Sequence, residues 1–346
     1  MKKKLIGIIK IVLPTLVGVY LFWYFYDQMS DTQKENFFRK MYEINYGWIF
    51  LSLVISLGSH LARAHRWKYL LEPMGYKTKF AHRYHAIMVG YIVNMLIPRA
   101  GEASRAGMLV KSDKIPFARS FGTIIAERAI DVAILGIIFL FTISVSFDDF
   151  LALKAKLFPA DAQNTGDTSN YLLLWIILAV VILFALAIVF FALKPTLRKK
   201  VVELLLNIKE GVLSVFRSKN PVSFTFYSFL IWILYVVFFG VCFLSLEETK
   251  EVPLSGILMA FIGGTIGIML TNGGVGVYPV FVGSIITFYA FPDYTGTGAH
   301  DTAYALATIT WGVQTLMMIV LGLISLFFFS KNFKITSEDD SESDKG

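Results

Sequence analysis

The chain has 346 residues, of which 56% are hydrophobic and only 16% charged, and its mean hydropathy is +0.63. A soluble domain carries about 25% charged residues, so that class is excluded. The net charge of +7 suits the anionic lipid of a cytoplasmic membrane face rather than nucleic acid, since no basic soluble domain is there to carry it.

Met1-Lys2-Lys3-Lys4 precedes an apolar run, Leu5 to Tyr26, that is too long for a signal peptide and lacks a small-residue cleavage site. A retained first span with cytoplasmic lysines is expected. Residues 27–45 place Phe37, Met41 and Ile44 at helical spacing, which predicts a short amphipathic helix lying on the membrane. The second span, about 46–64, ends in Arg63, Arg66 and Trp67, and a basic loop with Lys68, Lys77, Lys79 and Arg83 follows. Residues 84–98 are uncharged but make only ~22 Å of helix, against the ~30 Å of a hydrocarbon core. Pro98-Arg99-Ala100-Gly101 breaks this segment, and the next leg, Glu102 to Val110, carries Glu102 and Arg105. Residues 84–110 are therefore predicted to be a re-entrant hairpin. Such backbone is tolerated at membrane depth only when buried in protein or lining a wet cavity.

The fourth span, about 117–147, carries Glu127, Arg128 and Asp131. A fifth is predicted at 170–193, a second amphipathic stretch at 196–219 and a sixth span at 221–246. The apolar segment 252–292 is broken at Thr271-Asn272-Gly273-Gly274-Val275-Gly276, as a second hairpin or two tight spans. The last span is about 302–330, and the acidic tail, 331–346, is expected to be disordered.

Lys and Arg concentrate in 1–4, 63–83, 111–119 and 194–219, whereas 148–169 and 292–301 are acidic or neutral. With both termini in the cytoplasm these loops obey the positive-inside rule, provided 84–110 does not cross. Residues 1–147 and 168–330 each run span, amphipathic helix, span, broken hairpin, span, starting on opposite sides. The expected fold class is an all-α polytopic membrane protein of about six full spans plus two broken or re-entrant hairpins. It forms a single domain, residues 1–330, arranged as an inverted-topology repeat in the inner (cytoplasmic) membrane. In such proteins Gly/Pro-broken segments at matching positions point to the binding site, here 94–105 and 271–279.

The densest cluster is Asn94 to Arg105. Ionisable groups at membrane depth are costly, usually pair, and often mark a pathway. A helix starting near Gly101 would aim free N–H groups at an anion such as a phosphate. Arg99 and Arg105 would supply planar two-pronged donors, with Glu102 pairing one of them. Glu127 and Asp131, at i and i+4, share a face and are placed to hold the neighbours of Arg128, or Arg63 and Arg66. The plainer readings are a salt-bridge lattice bracing the hairpin and a ring of snorkelling side chains. Gly273, Gly274 and Gly276 let backbones approach closely, though a tight turn explains them equally well. His82 and His85 have no third ligand close in sequence, and Cys242 is the only cysteine, so no metal or other cofactor is expected.

The run Asn94 to Arg105 has the form N-x-x-[LI]-P-x-x-G-E-x-x-R. With Glu127-Arg128-x-x-Asp131, Gly273-Gly274-x-Gly276-Val277 and Arg63-x-x-Arg66-Trp67, it resembles the lysylphosphatidylglycerol synthase transmembrane family of flippase-like domains, over about residues 5–330. The chain departs from that pattern at Asn272, where Pro is usual, and at Tyr278-Pro279, where a charged pair is usual. No synthase domain follows residue 330, so aminoacyl transfer is not implied and no enzyme activity is expected. The resemblance implies movement of an anionic or modified phospholipid, or a lipid-linked saccharide, between leaflets without ATP. The headgroup site would comprise Arg63, Arg66, Asn94, Arg99, Gly101, Glu102, Arg105, Glu127, Arg128, Asp131, Asn272, Gly273, Gly274 and Gly276. The alternatives are an ion-coupled transporter of a small anion, with Glu127 or Asp131 carrying the proton, and a non-catalytic membrane partner of a glycosyltransferase. The expected partners are membrane lipid as substrate, with a glycosyltransferase or lipid-modifying enzyme and self-association left open.

Overall fold

The computed structural model describes residues 16–97, 99–157, 220–295 and 299–343, and every element among them is helical. Residues 16–27 form α1. Helix α2, Asp31–Glu43, begins at a capping box in which Ser30 Oγ accepts from the Gln33 N–H and Gln33 Oε1 accepts from the Ser30 N–H. Helix α3, Tyr46–Leu71, starts on the Asn45 side chain and ends where Glu72-Pro73-Met74 tightens into a 3-10 turn. It is thus longer than the expected second span, and Arg63, Arg66 and Trp67 lie inside it rather than at its end.

Helices α4, Phe80–Leu96, and α5, Gly101–Asp113, form the first hairpin. Their legs meet at glycine: a Cβ on Gly101 would sit 2.1 Å from the Gly90 carbonyl oxygen. Helix α6, Phe117–Val145, and α7, Phe147–Leu157, follow, bent by 88° at the break between them. From residue 221 on come α8, Pro221–Phe243, and the second hairpin, α9, Leu254–Leu270, with α10, Val277–Ala290. Helix α11, Asp301–Ser343, runs on through the stretch expected as a tail, which has no Gly or Pro before Gly346 to break it.

Three described helical segments are long and apolar enough to cross a bilayer: Tyr46–Met74, Pro221–Phe243 and Asp301–Phe329. Helices α6 and α7 taken together make a fourth. The molecule is therefore a helical membrane protein. The first expected span is described only from residue 16, and the expected elements at 170–193 and 196–219 lie outside the described residues.

Helix α3 is the hub, packing along α8 and touching α4, α6 and α11. One apolar core joins Trp67, Leu70 and Leu71 of α3 to Ile87 and Met88 of α4, Leu109 of α5 and Ile124 of α6. A second joins Phe239 and Phe243 of α8 to Met259, Val282, Ile286 and Leu306 around the other hairpin. Helix α11 leans on both hairpins, and Gly322 lets it close on Ile92 and the Met88 carbonyl. Helix α2 differs from expectation. Phe37 and Ile44 are each 3% exposed and pack on protein, Phe37 against Tyr304 and Tyr26. The stripe read as lipid-facing is satisfied by α1, α10 and α11, which offer a dry apolar surface.

Candidate functional site

The arginines of α3 lie on one helical face, three residues apart, and α3 meets α6. Arg66 is fully buried and grips Asp131 with both prongs, from Nη1 at 2.7 Å and Nη2 at 3.3 Å. Ser228 of α8 lies 3.4 Å from the same Nη1. Arg63 Nη1 lies 3.5 Å from Asp131 and Arg128 Nη1 lies 3.8 Å from it. Glu127, one helical turn away, sits between Arg105 Nη2 at 2.6 Å and Arg66 Nε at 3.6 Å. Neither contact has hydrogen-bond alignment, so charge rather than a directed bond holds Glu127. Arg105 also stacks its guanidinium 3.7 Å from the Trp67 ring centroid, and Trp67 Nε1 donates to Thr123 Oγ1 at 2.9 Å.

Glu102 does not pair Arg99 or Arg105. Its ion pair is with Arg128, at 3.5 Å. Arg105 turns instead onto Trp67 and Glu127, which offer it stacking and charge together. Arg99 is exposed at the hairpin tip with φ 63°, a left-handed conformation, and no ion pair engages it among the described residues. Nor is the α5 N-terminus wholly open: the Gly101 N–H donates to Asn94 Oδ1 at 2.7 Å. Asn94 therefore caps the second leg of the hairpin from the first.

A narrow cleft opens on this lattice between α4, α5 and α6. Arg63, Arg105 and Arg128 line it, with Asn94, Gly101 and Glu102, and Ile87, Gly90 and Tyr91 complete the wall. Arg66, Glu127 and Asp131 stand behind it as a brace. Four arginines thus face three carboxylates, leaving one positive charge in excess. Buried Nε donors of Arg63, Arg105 and Arg128 have no protein acceptor. Arginines of this kind, at a helix break, are suited to hold a tetrahedral oxyanion.

The second hairpin tip meets the first. Asn272 Nδ2 donates to the Met95 carbonyl at 2.8 Å, and Trp311 Nε1 of α11 donates to the Gly273 carbonyl at 2.8 Å. Gly273, Gly274 and Gly276 have φ of 71°, 82° and 71°. At Gly276 glycine is required twice over, because a Cβ there would lie 1.7 Å from the Gly18 carbonyl oxygen. Asn272 to Gly276 thus shape the tip, and none of them lines the arginine cleft.

Sequence reasoning missed Tyr91 and Gly90, which line the cleft. A small residue in α4 facing Gly101 was a signal for Gly90; Tyr91 carried none.

A helical membrane protein with a broken hairpin closed over buried arginines is the class defined by this fold and site. The model of the family described as "Lysylphosphatidylglycerol synthase TM region" matches residues 11–322, and the chain belongs to that family. A UPF0104 membrane protein of Methanocaldococcus jannaschii is 26% identical over 138 residues. The match covers 39% of this chain and 41% of that relative, so the chain spans about two-fifths of its length. No solved structure matches the chain.

Proposed function

We propose that the protein is a lipid translocase of the inner membrane that moves an anionic phospholipid, or a lipid-linked saccharide, between leaflets without ATP. One observation carries this reading: Arg63, Arg105 and Arg128, which carry surplus positive charge and buried Nε donors without a protein acceptor, line a narrow cleft at a hairpin break. Arg63, Arg105 and Arg128 receive the headgroup phosphate, while Asn94 and Glu102 hold the break in shape. The acyl chains stay in lipid, so only the polar end needs a path. Glu127, Asp131 and Arg66 keep the arginines poised. The family name, which contains a phospholipid, phosphatidylglycerol bearing a lysyl group, supports a phospholipid substrate. The meeting of the two hairpin tips at Asn272 and Met95 supports an inverted-repeat plan in which one half rocks against the other.

A small-anion transporter with Glu127 or Asp131 as proton carrier fits less well, because both carboxylates are held by arginines. Liposomes containing the full chain and a panel of fluorescently labelled lipids test the choice. Labelled phosphatidylglycerol is expected to cross faster than in protein-free liposomes, with inorganic phosphate a poor competitor. Uptake of inorganic phosphate without lipid movement would overturn the proposal.

A further inference from the structure

The buried face of α3 is polar for most of its length. Ser52, Ser56, Ser59, His60, Arg63 and Arg66 are all at most 4% exposed and fall on one stripe, about 21 Å long at ~1.5 Å per residue. The serines are satisfied: Ser52 Oγ donates to the Ile49 carbonyl, Ser59 Oγ to the Ser56 carbonyl, and Ser56 Oγ to Gln314 Oε1 of α11 at 2.9 Å. His60 is not. It is 2% exposed, and neither ring nitrogen has a hydrogen-bond partner. A buried imidazole normally finds one, and an ionisable group left open at membrane depth is a functional signal.

The surroundings of His60 connect it to the cleft. Tyr91 of α4, which lines the cleft, has its ring centroid 5.1 Å from the imidazole. Tyr235 of α8 lies 6.5 Å away, and the Arg63 guanidinium lies 5.9 Å from the Tyr235 ring. The charge facing His60 is Arg63, one turn further along α3. Asp131, Glu127 and Arg128 of α6 lie beyond it at the lattice, and α11 contributes the uncharged Gln314 to the stripe.

We infer that His60 is the proton-binding site that couples headgroup binding to proton movement, an inference that rests on the reading of the cleft under Proposed function. An imidazolium here is opposed first by burial and then repelled by Arg63, which Asp131 at 3.5 Å neutralises only in part. A headgroup phosphate held on Arg63, Arg105 and Arg128 cancels that repulsion. The headgroup and a proton on a His60 ring nitrogen therefore favour one another, and by linkage the preference is mutual. The proton is taken from water as the anion enters and returned to water as it leaves, so an anionic lipid is carried with a proton. The carrier is then the one ionisable group on this stripe without a partner, rather than the arginine-bound carboxylates.

Calorimetric titration of the detergent-solubilised full chain with a short-chain phosphatidylglycerol tests this, in two buffers of different ionisation enthalpy near neutral pH. Net proton uptake on lipid binding is expected in the native protein, and none in His60→Gln, with lipid binding kept. A second variant, with His65, His82, His85 and His300 all changed to Gln, keeps the uptake and decides the matter where His60→Gln does not fold. Lipid binding without proton uptake in the native protein, or uptake retained in His60→Gln, overturns the inference alone. Absence of lipid binding in the native protein overturns the cleft reading and this inference together. Inorganic phosphate in place of lipid distinguishes the source of the anion, and uptake driven equally by it contradicts lipid coupling.

Discussion

The Asn272 side-chain amide donates to the Met95 backbone carbonyl across 2.8 Å, tying the break in one helical hairpin to the break in the other. Met95 lies in the last turn of α4, so the Asn272 amide satisfies a carbonyl that the helix end leaves open. A single such bond is worth about 1 kcal/mol, weak enough to release in the proposed translocation.

Locking that junction should therefore stop transport. In a Cys242→Ala background, Met95→Cys with Asn272→Cys joined by a short thiol cross-linker is expected to lose lipid movement and regain it on cleavage of the linker. Unchanged movement while the tips are joined would mean they do not part.

The brace and the cleft should separate on mutation. Arg66 makes a two-pronged pair with Asp131 and does not line the cleft. Removing one partner of a buried pair costs roughly 3–5 kcal/mol, because the other is left charged and alone. Asp131→Ala is expected to reduce yield and melting temperature sharply. An Arg66→Met, Asp131→Leu double variant should recover much of the loss, and a double variant no more stable than Asp131→Ala contradicts the brace.

Gly276 and Gly273 share a positive φ but not their surroundings. Gly276→Ala adds a clash with the Gly18 carbonyl to the backbone strain, whereas a Cβ on Gly273 meets nothing within 4 Å. Gly273→Ala should cost about 1 kcal/mol, and Gly276→Ala more than about 3 kcal/mol. Equal melting temperatures for the two variants would remove the close approach of α1 from the account.

At the opposite end of α3, Lys40 of α2 pairs with Glu248 at 2.5 Å and with Glu43 at 2.8 Å. Burial pushes the Glu248 carboxyl up, but the Lys40 hydrogen bond and charge, with a backbone hydrogen bond, hold it below the ordinary range. The Glu248 and Glu43 hydrogen bonds raise Lys40 in turn. A depressed carboxylate contributes stability above its unfolded value, and that contribution is lost as pH falls through the folded value. A raised lysine contributes below its unfolded value, and that contribution is lost as pH rises through the folded value. Protection of the α2 amides should thus carry the full contribution of this pair between about pH 5 and 10 and lose it on either side, where exchange quickens. Glu248→Gln should speed it about two- to five-fold at pH 7, the range for a partly exposed pair. No change on this substitution would show that apolar packing alone docks α2.

Much of the arrangement was legible in the sequence because bilayer physics is strict. An uncharged 84–98 too short to cross, followed by Pro98 and a charged leg, left a hairpin as the solution, and Glu127 with Asp131 on one helical face required cationic partners. Which cation meets which carboxylate was not legible. The assignment of Glu102 to Arg128, and of Arg105 to Glu127 and Trp67, depends on how α5 rotates against α6, and no local pattern records that angle. The docking of α2 on protein was hidden for a related reason: an apolar stripe looks the same whether lipid or Tyr304 covers it. His60 carried no signal at all, since its distinction is the absence of a partner.

The central claim is that the cleft arginines bind a phosphate headgroup, and Arg105→Lys tests it most directly. Lysine keeps the charge but lacks the planar fork that matches phosphate oxygens and stacks on Trp67. The measurement is transbilayer movement of labelled phosphatidylglycerol per folded protein in liposomes, with melting temperature recorded alongside. Arg105→Lys is expected to fold and purify yet move lipid at least about ten-fold more slowly, a loss of ~1.4 kcal/mol or more in transport-competent binding. A folded Arg105→Lys protein moving lipid at the native rate would contradict the account.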